Sequence, residues 1–260
     1  MIKAEGLCFS YGGKQIINNL SAEFHPGELC SIIGVNGSGK TTFIRLLSRM
    51  LSPSDGTVTV DGKAAVSYTP KDYAKIVSVL PQNRPTPSIS VHDLVSHGRF
   101  PYLGFSRRLS PKDNERIEAS LKTTDTMRFA DSDIRRLSGG ERQRAYIAML
   151  LAQDSKYLLL DEPAAHLDIS HSFEVMELLK LLCARGKGII TVLHDLSLAF
   201  KYSDRILLID NGGASVYDSP EALISSGKLT GAFGISCKCI NADGRNEYIF
   251  DSIKNNNIFN

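Results

Sequence analysis

Three patterns of hydrophobic and polar positions alternate along the chain. From the start to about residue 27, short apolar segments are broken by the turn signals YGGK and HPGE, which predicts antiparallel strands. The stretch GTVTVDGK at 56–63 continues with a period of two and a turn at Asp61-Gly62. The second pattern is the continuous apolar run: ELCSIIG at 28–34, KYLLLD at 156–161, KGIITVLHD at 187–195 and DRILLID at 204–210. Such runs predict strands buried on both faces. In the third, apolar residues recur three and four apart, in KTTFIRLLSRML at 40–51, ERQRAYIAMLLA at 141–152 and SHSFEVMELLKLLCA at 170–184. These are helical spacings, and strands alternating with helices imply a parallel sheet.

The segment from about 88 to 137 breaks this rhythm. It is polar, has no buried-strand run, and carries SPKDNERIEASL, with Ser110 as a cap, Pro111 at the first helical position and Asp113 in the first turn. It reads as a helical insertion. Beyond about 225 the chain reads as a strand-rich extension, and the tail KNNNIFN is expected to fray.

Composition narrows the classes. At 260 residues the chain can bury a large α/β core. A net charge of +2 is too small to make nucleic acid the main partner. No apolar run approaches the roughly 20 residues needed to cross a bilayer, and no secretion signal opens the chain, so a cytoplasmic protein is expected. The five cysteines are scattered without paired CxxC spacing, which predicts free thiols; Cys237 and Cys239 alone make an incomplete metal shell.

The chemistry concentrates in three places. GVNGSGKT fits G-x-x-x-x-G-K-[ST] with Gly34, Gly39, Lys40 and Thr41, between a buried strand and a helix. The glycines let backbone wrap phosphates, Lys40 supplies charge and the Thr41 hydroxyl can ligate Mg²⁺. YLLLDEP ends an apolar strand on two carboxylates, costly to bury unless a metal is their partner. Asp161 is then the metal's ligand, and Glu162 the base for an attacking water. A helix cap would explain one of the two carboxylates but not both. His194 ends another buried strand, where ligands collect in open parallel sheets, and is placed to donate to a γ-phosphate. Tyr11 is open between stacking on a purine and filling the β-layer. Finally, LSGGE offers a second anion site, at a helix start where Ser138 can cap the helix or bond a phosphate and Gly139 and Gly140 permit close approach.

With GVNGSGKTT, LSGGERQR, YLLLDEP and TVLHD in this order, the chain resembles the nucleotide-binding subunit of an ABC transporter, from its start to about residue 225. The resemblance implies an α/β P-loop NTPase fold of the ABC ATPase type. That fold has a mostly parallel core sheet, an N-terminal antiparallel β-subdomain and the insertion at 88–137, with 226–260 as a C-terminal extension. It places Tyr11 on the A-loop and Gly34 to Thr42, with Asn36, Gly37, Ser38 and Thr42 among them, on the Walker A loop. Gln82 falls on the Q-loop, as a metal and reaction-site residue beside Lys40, Glu162 and His194. Leu137 to Glu141 fall on the signature, Asp161 and Glu162 on the Walker B end, Asp168 on the D-loop and His194 on the switch histidine. ATP and Mg²⁺ are the implied cofactors.

Two subunits are implied to pack head to tail, the signature of one covering ATP on the other, beneath two membrane-spanning permease subunits served by a solute-binding protein, at the cytoplasmic face of the membrane. HGRFPYLG at 97–104 and HLD at 166–168 are similar to stretches of importers of ferric siderophores, haem and cobalamin. Val35, Glu141 and Ala164-Ala165 depart from the usual residues without removing a catalytic group. The alternatives are an ABC ATPase for another imported solute and a soluble non-transport one, which commonly carries two motif sets or a long coiled coil.

Overall fold

The computed structural model describes residues 1–104, 108–242 and 245–253; the tail at 254–260 lies outside them. Strands β1 (Ile2–Tyr11) and β2 (Lys14–Phe24) form the expected antiparallel hairpin, and β3 (Leu29–Ile33) leads into α1 (Lys40–Leu47). Next come β4 (Asp55–Val60) and β5 (Lys63–Ala64), joined through Asp61 and Gly62, both at positive φ, then α2 (Pro70–Ala74) and β6 (Val77–Leu80). Helices α3 (Val91–Ser96), α4 (Pro111–Thr123) and α5 (Gly139–Ala152) precede β7 (Tyr157–Asp161) and α6 (Ile169–Ala184). The second half adds β8 (Gly188–Val192), α7 (Leu196–Tyr202), β9 (Arg205–Asp210) and β10 (Gly213–Tyr217). Helices α8 (Pro220–Ser225) and α9 (Lys228–Phe233) and the hairpin β11 (Ile235–Ala242) and β12 (Arg245–Ser252) follow.

The core sheet has the order β10-β9-β3-β8-β7-β6, parallel except for β10. A second sheet, β2-β1-β4-β5, is antiparallel. The continuous apolar runs are explained by two cores, one on each face of the parallel sheet. Leu158, Leu160, Ile189, Ile206 and Leu208 point to the core shared with the helices from α3 to α7. Their alternates Tyr157, Leu159, Ile190, Leu207 and Ile209 point to the core shared with α1 and the antiparallel sheet. Each such side chain contributes about 1.5–3 kcal/mol on burial.

The insertion is helical, and its ends are tied together: Val91 N donates to Ser132 O (3.0 Å) and Ile134 N to Ile89 O (3.1 Å). Helix α4 has the expected Ser110 cap and Pro111, with a full capping box through Asp113. Within HGRFPYLG, a side chain on Gly98 would lie 2.2 Å from Met149 O on α5. The buried Arg99 donates to Asp113 Oδ1 (2.9 Å) and to Ala152 O at the C-terminal end of α5, and stacks over Tyr102. The motif therefore locks α5 to α4.

Some boundaries differ from the sequence pattern. Helix α1 stops at Leu47 rather than 51, because Arg49 turns left-handed at φ 61°. Helix α5 starts two residues before the periodic run, with Gly139 and Gly140 inside its first turn. Strand β6 has no counterpart in the apolar pattern: it is four residues long and contains Ser78, whose buried hydroxyl is satisfied by Ser155 Oγ at 2.8 Å. The extension is not all strand, since α9 precedes its hairpin. Among the described residues no three His, Cys, Asp or Glu side chains gather into a metal shell, and Cys237 and Cys239 lie on β11 opposite Phe250 and Tyr248.

Candidate functional site

The parallel strands all end on one side, so the segments after β3, β6, β7 and β8 converge there, the ordinary ligand edge of such a sheet. The register sets their heights: Ile32 and Asp161 both pair with Val192, and Leu80 pairs with Leu160.

After β3 the backbone turns through Gly34, Gly37 and Gly39, all at positive φ, into α1. A side chain at Gly34 would lie 2.3 Å from Ile209 O, and one at Gly39 would lie 2.8 Å from Ile17 Cδ1. Glycine is thus required at 34 by close approach to backbone and at 39 by a left-handed φ of 106°. The loop curls over Lys40, whose ammonium donates to the carbonyls of Gly34 (2.8 Å) and Val35 (2.9 Å). Burial pushes that ammonium below its ordinary pKa, against the pull of Glu162 and Asp161. Ser38 Oγ is buried without a partner, an orphaned polar atom in a loop whose N–H groups already favour anions.

Thr41 Oγ1 donates to Asp161 Oδ1 at 3.3 Å. Asp161 is buried at the end of β7, and burial pushes its carboxyl above the usual carboxylate range, with neighbouring Glu162 adding to the shift. These two hard oxygen ligands, one of them anionic, suit a cation that takes one or two protein ligands and completes its shell with phosphates.

Glu162 adopts a left-handed backbone at φ 55°, a conformation costing about 1–3 kcal/mol outside glycine. Its N–H donates to Val192 O (3.2 Å). Its carboxylate accepts from Gln82 Nε2 at 2.6 Å and meets His194 Nε2 through its other oxygen. The ends of β6, β7 and β8, which precede Gln82, Glu162 and His194, thus deliver three side chains to a single hydrogen-bonded cluster.

An open cleft of about 540 Å³ joins these parts, lined by Tyr11, Asn36, Gly37, Gly39, Lys40, Thr41, Thr42, Gln82, Glu162 and His194. Tyr11 is 44% exposed, with its ring edge-on to Phe9 at 4.7 Å. Gly34 and Ser38 sit behind this lining, and Asp161 beside Thr41. Ile16 of β2 also lines the cleft, a wall residue that sequence reasoning missed; its only signal was an apolar side chain two residues into a strand that faces the loop.

Ser138, Gly139, Gly140 and Asp168 do not line this cleft. Ser138 caps α5 in a capping box, its hydroxyl accepting from Glu141 N (3.3 Å) and its N–H donating to Glu141 Oε2 (2.9 Å). Glutamate therefore serves at the position where the sequence departs from the usual residue. Gly140 has a reason inside the chain: a side chain there would lie 2.2 Å from His171 Cδ2. At Gly139 the nearest atom would be Leu167 Cδ2 at 3.4 Å, so close packing does not demand glycine there. Asp168 caps α6 and holds the His171 ring through Nδ1 at 2.8 Å.

The sequence model of the ABC transporter family matches residues 17–165. The chain is 38% identical over 239 residues, 91% of its own length and 88% of the relative's, to the petrobactin import ATP-binding protein FpuD of Bacillus anthracis. It is 35% identical over 259 residues, 98% of its length and 96% of the relative's, to the iron(3+)-hydroxamate import ATP-binding protein FhuC of Bacillus subtilis. A chain of an ABC transporter structure in an inward-facing conformation superimposes with a TM-score of 0.84 over 98% of both chains at 23% identity, a likeness of fold. Strand-end cleft, glycine loop and matched relatives agree: this chain belongs to the ABC transporter family, as an ATP-binding protein.

Proposed function

We propose that the chain binds ATP with Mg²⁺ in this cleft, hydrolyses it as one half of a head-to-tail dimer, and so energises import of an iron chelate. The observation that carries this is the convergence of Lys40, Thr41, Gln82, Glu162 and His194 on one cleft while the capped start of α5 stays outside it. One chain supplies a nucleotide site and, elsewhere, a second anion-binding helix end. The import of iron(3+)-hydroxamate by a relative that matches 98% of the chain supports the substrate class.

The residues divide the work. Lys40 and the loop N–H groups hold the phosphates, Lys40 exchanging its two carbonyl partners for phosphate oxygens. Tyr11 and Ile16 offer apolar surface to the base. Thr41 and Asp161 would hold Mg²⁺, which supplies positive charge against the phosphates when bound. Glu162 accepts the proton of the attacking water, Gln82 fixes one of its oxygens, and His194 donates toward the γ-phosphate. Ser138, Gly139 and Gly140 of the second copy close the site, with the α5 dipole toward the phosphate, and Asp168 lies at that seam.

No described helix is long and apolar enough to cross a membrane. In this reading the chain works beneath two membrane-spanning permease subunits, at the cytoplasmic face, with a solute-binding protein delivering the chelate; the likeness to import ATP-binding proteins supports it. The test is uptake of a labelled ferric hydroxamate by cells whose only copy is Glu162→Gln. The variant should still bind ATP, co-purify with a multi-span membrane protein, and lose uptake together with turnover, as a site stripped of its base should. Unchanged uptake contradicts the proposal.

A further inference from the structure

None of the described residues beyond α8 lines the cleft, yet they grip the helix that follows the site's histidine. Helix α7 starts directly after His194 and Asp195, whose carboxylate caps it by accepting from Ser197 N at 2.8 Å and Leu198 N at 3.3 Å. Four residues into the helix, about 6 Å along its axis, stands Phe200, only 1% exposed. Its ring meets Tyr248 edge to face at 5.3 Å and Phe250 at 5.2 Å, both on β12.

Those two rings are themselves held. The Tyr248 hydroxyl donates to the Glu221 carboxylate on α8, and Asn246 Nδ2 donates to the same oxygen at 2.8 Å. Ile253 N donates to Gly234 O at 3.1 Å, fastening the base of the hairpin at the end of α9. At its far end α7 is pinned to the core sheet by Ser203 Oγ and Ser31 Oγ at 2.6 Å. A helix of seven residues has too few internal bonds to fix its own direction. Its packing partners fix it, and the hairpin supplies one of them.

We propose that the β11–β12 hairpin braces α7, with Phe200, Tyr248 and Phe250 as positioning residues that hold His194 against Glu162. This rests on the reading of the cleft as the site of ATP hydrolysis. Edge-to-face aromatic pairs stabilise a packing beyond the burial of their area, and small displacements of a reacting group lower turnover steeply.

The test compares full-length wild type, Tyr248→Ala/Phe250→Ala, Tyr248→Phe, His194→Ala and the triple variant, by ATP affinity and single-turnover hydrolysis. The double variant should lose about tenfold or more in rate with ATP affinity within about twofold, and Tyr248→Phe, which keeps the ring, should stay near wild type. On the His194→Ala background the same two substitutions should cost less than about twofold. A full rate in the folded double variant overturns the brace, as do losses that multiply on the His194→Ala background or an affinity that falls with the rate. If the double variant does not fold, Phe250→Leu is read by the same criteria. A wild type without ATPase activity, or one indifferent to His194→Ala, removes instead the reading of the cleft.

Discussion

Burial of the Asp161 carboxyl works against the fold at the residue proposed to hold Mg²⁺. Among the described residues its buried carboxyl has one hydrogen bond, from Thr41, and burial raises its pKa. The unfolded chain therefore releases this proton at lower pH than the folded chain does, so the residue subtracts stability as pH rises above the ordinary carboxyl value, about 3.9. Asp161→Asn keeps the shape and removes the charge. In the nucleotide-free protein it should raise Tm at pH 7 by about 2–4 °C for each kcal/mol of penalty removed. The gain should vanish toward about pH 4, while Mg²⁺-dependent hydrolysis is lost at every pH. A lower Tm at pH 7, measured by calorimetry without nucleotide, would show that the carboxylate is compensated in a way this geometry lacks. Glu162 carries a related cost in its left-handed backbone, and both costs fall at the edge where the chemistry is placed.

Among the elements, the insertion depends on Arg99. Its guanidinium is buried against Asp113, which also completes the α4 capping box, and against the carbonyl of Ala152, the last residue of α5. Arg99→Ala takes the ion pair from Asp113, leaving it only its Ser110 bonds, and takes the donor from Ala152 O, which should cost about 1.5–3 kcal/mol. Arg99→Lys should fall between, because it keeps the charge and loses the fork. Urea denaturation measures both, and a midpoint unchanged in Arg99→Ala would contradict this role. The sequence offered HGRFPYLG only as a likeness to other importers; that Gly98 and Arg99 clamp two helices is visible only when the helices are side by side.

The same contrast holds elsewhere. The buried strands, the loop at 34–42 and the capped α4 were legible because local pattern and tertiary role coincide there. Strand β6 was not, since its serine is satisfied by a partner 77 positions away. Nor was the second reason for Gly140, the contact with His171. The meeting of Gln82, Glu162 and His194 was legible only as three motifs, and the hydrogen bonds joining them follow from strand order.

For the whole molecule, the central claim is that each chain holds half of two sites. The cleft has its glycine loop, its carboxylates and its histidine, and the start of α5, capped by Ser138 and opening on two glycines, does not line it. Gly139 in particular has no packing need for glycine inside the chain, which fits a surface offered to another copy. The most direct measurement mixes purified Lys40→Ala and Ser138→Arg subunits, each inactive alone, and follows ATP hydrolysis once mixed dimers are shown to form. A mixed dimer joins one intact loop to one intact signature, so the mixture should recover up to about a quarter of wild-type activity under random pairing. Mixed dimers with no more activity than either variant alone would contradict the shared site.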